Sequence, residues 1–282
     1  MNPSYPDYDQ NDREAPPPFD QVTPPFNQTA GPYDREAPPP PAFPRRVAVR
    51  LPAARPVVTY GIMAITVLVY IAQYFSQVTF GVDIPANLGM KANNLIAQGQ
   101  FWRLFTPMFL HGNLLHIGFN MYALYLFGPG LERHFGHARF LALYFLSGFA
   151  GNVGSLMFSA APSLGSSTAI FGLLGAEAVF LFQNQKILGG MARRALNNII
   201  LIAVINLAIG LSPGIDNWGH LGGLVGGTLF AWIGGPILRV QGITPNLSLV
   251  DEREPRNAIL AGLIVALLFI ILTGVTLYLR MG

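Results

Sequence analysis

The chain contains no cysteine, and only 11% of its 282 residues are charged. The first absence excludes disulfide staples, cysteine-ligated zinc and a thiol nucleophile. The second, set against a 51% hydrophobic content with charge-free stretches too long for a soluble core, defines a polytopic membrane protein. No HExxH motif is present and no aspartate falls inside a predicted helix, which argues against zinc-dependent and two-aspartate intramembrane hydrolysis. Nothing in the chain implies a metal or a cofactor. A net charge of +3, spread between apolar segments, is too small to suggest a nucleic-acid partner. The polar, proline-rich beginning carries no cleavable signal pattern.

Residues 1–55 hold most of the prolines and a near-repeat, DREAPPP at 12–18 and again at 34–40. Such a segment buries too little apolar surface to offset its ordering entropy, so it is expected to be a disordered cytoplasmic tail, with a proline-motif partner as a secondary expectation. Seven spanning helices are predicted at 57–76, 113–131, 140–159, 167–184, 196–212, 218–238 and 257–279. Arg45, Arg46, Arg50 and Arg55 precede the first; Arg133 and Arg139 follow the second; Lys186, Arg193 and Arg194 follow the fourth; Arg239, Arg253 and Arg256 follow the sixth. Only Lys91, Arg103 and Arg280 fall on the other side. The positive-inside rule therefore predicts a cytoplasmic N-terminus and an outer C-terminus, with the second, fourth and sixth helices entering from outside. The long outer segment 77–112 is expected to pack on the bilayer surface.

Three polar clusters then share one depth. The second helix begins HIGFNMYAL, the fourth SSTAIFG and the sixth NWGHLGGLVGG, so His116, Asn120, Ser166, Ser167 and His220 lie within a few turns of the outer end. Polar groups in membrane helices usually face the bundle interior or a wet cavity. His116 and Asn120, four residues apart, share one helical face. Gly219, Gly223 and Gly227, with Gly222 and Gly226, give the sixth helix the small-residue spacing that lets backbones approach in lipid. Gly165, Gly172, Gly175 and Ala176 offer a matching surface on the fourth. That packing would bring a serine hydroxyl to His220, the usual means of activating it as a nucleophile. The start of the fourth helix, with His116 and Asn120, would supply oxyanion donors.

These residues resemble the rhomboid family of intramembrane serine proteases. The likeness runs from about 57 to 238 and rests on WR at 102–103, HGNLLHIGFN at 111–120, GPGLE at 128–132, GSSTAIFG at 165–172 and HLGGLVGG at 220–227. The resemblance implies Ser167 as nucleophile, His220 as general base, and His116, Asn120 and the backbone N–H of Ser167 as oxyanion donors. It also implies structural or supporting roles for Trp102, Arg103, His111, Glu132, Gly165, Gly223 and Gly227. Thr168 stands where the family commonly has glycine.

The expected fold is thus an all-α membrane bundle: a tail at 1–55, a rhomboid-like six-helix catalytic domain at 56–238, and an inner loop with an extra helix at 239–282. The expected function is cleavage of transmembrane segments of single-span or polytopic membrane proteins, in the lipid bilayer of a bacterial cytoplasmic membrane. Two other readings use the same residues. A catalytically dead escort of membrane clients would lack a dyad member, and both are present. A transporter would show paired intramembrane charge or two similar halves, and neither is seen.

Overall fold

The computed structural model describes residues 49–50, 55–243 and 246–281. Its long helices are α1 (Val57–Phe80), α4 (Leu114–Phe135), α5 (His137–Phe158), α6 (Ser167–Gln183), α8 (Gly190–Ile209), α9 (Asn217–Gly234) and α10 (Pro255–Met281). All seven predicted helices are present. Four of them, α1, α5, α8 and α10, are long and apolar enough to cross a membrane. At 17 residues α6 extends only about 26 Å, less than the roughly 30 Å of a hydrocarbon core.

Local chemistry sets the ends. Gly81, at φ 71°, stops α1 by giving its N–H to the Gln77 carbonyl. Asn113 starts α4 by accepting the His116 amide at 2.9 Å. Pro129 lies inside α4, which continues past the expected end at 131 to Phe135. Gly136, at φ 76°, alone separates it from α5. Consequently Arg133 and Arg139 lie in helical turns, and His134 stacks on Phe180 at 4.5 Å. The sixth predicted helix ends at Gly234, ahead of Gly235 and Pro236.

Segment 77–112 is built from the last turn of α1, two short helices α2 (Ile84–Gly89) and α3 (Asn93–Ala97), and 3₁₀ turns at Phe101–Leu104 and Thr106–Phe109. A further short helix, α7 (Gln185–Leu188), precedes α8. The segment expected as an inner loop after 238 is instead an antiparallel hairpin, β2 (Leu238–Ile243) with β3 (Asn246–Asp251), in the register Leu238↔Asp251. A two-residue strand, β1 (Val49–Arg50), pairs in parallel with β3, so the tail expected at 1–55 has a structured stretch there. The remainder of that expectation lies outside the described residues up to 48 and at 51–54.

The centre is α5, α6 and α9, interlocked through small residues. A Cβ added to Gly222 would stand 2.6 Å from the Ala150 carbonyl oxygen and 3.1 Å from Gly151 Cα, so α9 lies against the backbone of α5. Gly223 and Gly227 lie on the backbones of Thr168 and Gly172 in the same way. Side chains there would force the helices apart, the close approach that such spacing permits in lipid.

The ends of the bundle are tied by charge. Glu132, fully buried, accepts from the Val58 amide at 2.9 Å, the Thr59 amide at 2.7 Å and the Thr59 hydroxyl at 2.6 Å. It satisfies the open amides at the start of α1, where a carboxylate also meets the positive end of the helix dipole. Glu132 of α4 thus closes a neighbouring helix. At the other end Lys91, fully buried, donates to the carbonyls of Ser155, Ser159 and Ala161 at 3.2, 2.9 and 3.0 Å. Arg280 adds a bond to the Leu156 carbonyl at 2.7 Å, so two cations terminate α5. Arg253 does the same for α9, reaching the carbonyls of Trp232 and Gly235 at 2.9 and 2.8 Å.

Candidate active site

The connection into α6 turns at Gly165, whose φ of 130° excludes ordinary side chains. A Cβ there would lie 2.7 Å from His116 Nε2 and 3.6 Å from Asn120 Nδ2. Gly165 is therefore seated against the α4 pair, and Gly172 and Gly175 make the surface toward α9 without it. Asn120 is buried, and its Nδ2 has no hydrogen-bond partner among the described residues.

Ser166 and Ser167 part company after this turn. Ser166, fully buried, points its hydroxyl to His111 Nε2 at 3.3 Å. Ser167 opens α6 and is half-buried, with Oγ 3.0 Å from His220 Nε2. The imidazole of His220 stacks on Phe171 at 4.3 Å and 15°, which fixes its plane. When Nε2 accepts from the serine, the proton of the neutral ring sits on Nδ1, a buried atom with no partner among the described residues. The amides of the first turn of α6 have no intrahelical acceptor, and the Gly165 turn two residues ahead of Ser167 lies against His116 and Asn120. The arrangement pairs a hydroxyl with a base beside a cluster of donors, suited to acyl transfer through an oxyanion.

The remaining sequence candidates stand back from this centre. His111 is held by Gln73 of α1, which accepts its amide at 3.0 Å, donates to its carbonyl at 3.2 Å, and also donates to Asp83 at 2.7 Å. Its ring meets that of His116 edge-on at 5.0 Å. Arg103, buried, braces the preceding segment by donating to the Met90 and Asn87 carbonyls at 2.8 and 2.7 Å. Trp102 is exposed and donates to the Leu88 carbonyl at 3.0 Å. Glu132 lies at the far end of α4, and Gly223 and Gly227 set the α6–α9 spacing.

Sequence reasoning missed Lys91 and Gln73. Besides terminating α5, Lys91 pairs backbone to backbone with Ser163, at 2.9 and 3.1 Å, two residues ahead of the Gly165 turn. Burial pulls its ammonium down to about 8, with Asp216 opposing the shift and Arg280 adding to it.

Fold and site together define an integral membrane protein with a Ser–His pair at the head of a short inner helix. Residues 98–237 match the family description "Rhomboid domain". Rhomboid protease GluP of Bacillus subtilis (strain 168) is 40% identical over 174 residues, 61% of this chain and 34% of the relative. RHOMBOID-like protein 1 of Arabidopsis thaliana is 41% identical over 145 residues, 51% of this chain and 37% of that protein. YdcA of Bacillus subtilis is 33% identical over 180 residues, which cover 63% of this chain and 88% of that relative. The chain belongs to the rhomboid family. It spans only about a third of the length of the first two relatives.

Proposed function

We propose that the protein is an intramembrane serine endopeptidase that cleaves membrane-protein substrates in or near their transmembrane segments. The observation carrying this reading is the 3.0 Å contact of Ser167 Oγ with His220 Nε2. The protease name borne by the matched relative GluP supports it. Ser167 Oγ attacks the scissile carbonyl carbon while His220 Nε2 takes its proton. The tetrahedral oxyanion is held by the Ser167 amide, His116 and Asn120. His220 then passes its proton to the leaving amine, and a water it deprotonates releases the acyl group from Ser167. A stable substrate helix shields its own carbonyls, so the scissile segment unwinds before attack.

The same reading places the protein in a bacterial cytoplasmic membrane, with the N-terminus cytoplasmic, the C-terminus outside and the site near the outer face. The proline-rich segment serves as a cytoplasmic tether, with a proline-motif partner as a secondary role. Co-expression with a single-span reporter tests the reading. The parent chain is expected to cleave it, and Ser167→Ala and His220→Ala are expected to leave it whole. A fluorophosphonate probe should label the parent and not Ser167→Ala. Cleavage that survives both substitutions would end the assignment.

A further inference from the structure

Four polar atoms around the first turn of α9 are buried and have no partner among the described residues: Asn217 Oδ1, which lies against Gly210, and Asp216 Oδ2, Thr168 Oγ1 and His220 Nδ1. Gly219, the residue before His220, locates Asp216 Oδ2 and the side chain that carries Thr168 Oγ1. A Cβ built on it would lie 2.9 Å from Asp216 Oδ2 and 3.0 Å from Thr168 Cγ2, so both side chains flank the same point. Asp216 uses its other oxygen, Oδ1, to accept the Gly219 amide at 3.0 Å, which fixes the carboxylate over the helix start. The His220 amide donates to the Asp216 carbonyl at 3.1 Å, placing the two residues one turn apart. With Nε2 turned to Ser167 and the ring held on Phe171, Nδ1 faces away from the serine. Thr168 and His220 are only 5% and 7% exposed.

Orphaned buried polar atoms are rare in folded proteins. An ordered water with two to four polar partners is the common way of satisfying such a group. We propose that Asp216 is a positioning residue for His220. Its Oδ2 and Thr168 Oγ1 seat one ordered water, which accepts from Nδ1–H of His220. This rests on the reading above, in which His220 is the base. Two consequences follow for that base. The seat favours the Nδ1–H tautomer, the only neutral form whose Nε2 can accept from Ser167. It also places a carboxylate, through the water, behind the imidazolium that forms when the serine proton is taken. The other charged groups that bear on this pair are His116 of α4, whose charge acts on His220, and Lys91 at the α5 terminus, whose ammonium is coupled to Asp216 and Arg280. Thr168, the departure from the glycine common in the family, thereby gains a use: its methyl lies beside Gly219 and its hydroxyl completes the seat.

The test separates charge from capping, because Asp216→Asn keeps an N-cap oxygen and removes the charge. In reporter cleavage by the full chain, Asp216→Asn is expected to lower kcat roughly tenfold with KM little changed, as loss of one partly buried charge interaction would. The acid limb of its rate profile is expected to move to lower pH. Thr168→Val should lose activity and Thr168→Ser should restore it, and the double variant should lose no more than Asp216→Asn alone. Nitrogen-15 NMR of the His220 ring gives a readout independent of proteolysis. A single Nδ1–H tautomer is expected in the parent and a tautomer mixture in Asp216→Asn. An unchanged ring spectrum, or a kcat within twofold of the parent with the same pH profile, overturns the proposal. A parent that cleaves nothing while its ring spectrum changes on substitution overturns the protease reading and leaves the seat standing.

Discussion

At the scale of single residues, the candidate site depends on the turn at Gly165. Gly165 combines a left-handed φ with a Cβ direction aimed at His116 Nε2. Gly165→Ala is expected to displace the His116 ring and abolish fluorophosphonate labelling of Ser167, while helix content measured by circular dichroism stays at the parent level. Lys91 makes a different prediction. Its folded-state value of about 8 lies below the ordinary 10.5, so between those limits the unfolded chain holds a proton that the folded chain has released. Stability from this group therefore rises as pH climbs from 8 to 10.5 and is lost as pH falls back through 8. In detergent melts, the difference between the parent and Lys91→Met should move in the parent's favour across that window. The serine, both histidines of the centre and Asn120 were legible because hydroxyl, imidazole and amide groups stand out in an apolar helix. Lys91 was not, since a lone lysine in a polar loop reads as solvated until the carbonyls it meets are known.

Helices α5, α6 and α9 carry the site through the closeness of their backbones. Gly227→Ala places a methyl on the Gly172 backbone, whereas Gly118 of α4 faces open space. Gly227→Ala is expected to destabilise by about 1–3 kcal/mol through overpacking and to reduce labelling of Ser167. Gly118→Ala is expected to be neutral or slightly stabilising, from helix propensity. Thermal melts of the two variants side by side check the pair. Long apolar runs made all seven helices readable. The hairpin β2–β3 was hidden: LRVQGI and NLSLVD carry only weak alternation, and the arginines around them read equally well as a solvated inner loop. Helix ends were misplaced by up to six residues where amphipathic turns carried the helix past its apolar run, as at Gly190–Asn198 of α8. Nothing in GPGLE itself reveals that Glu132 serves α1, because the partner amides lie more than seventy residues away.

Across the whole molecule, packing is uneven. Of the most apolar stretch of α5, 72% is buried, against 17% for α8. Hydrogen exchange in detergent should therefore show α8 peptides exchanging well ahead of α5 peptides, since local opening follows the number of buried contacts. Equal protection of the two would contradict the packing described. At the end of the bundle away from Ser167, Glu132→Gln should lower stability by roughly 1.5–3 kcal/mol, because hydrogen bonds to a buried carboxylate are among the stronger ones and the amide cannot accept on both sides. A melting-temperature shift in a full-length preparation measures it. The clasp at Glu132 also has a mechanical meaning. A load on the chain between β1 and α1 reaches that carboxylate and is passed into α4, a rod whose opposite tip holds His116 and Asn120. Strain at the start of α1 and the placement of His116 and Asn120 are thus joined by one stiff strut.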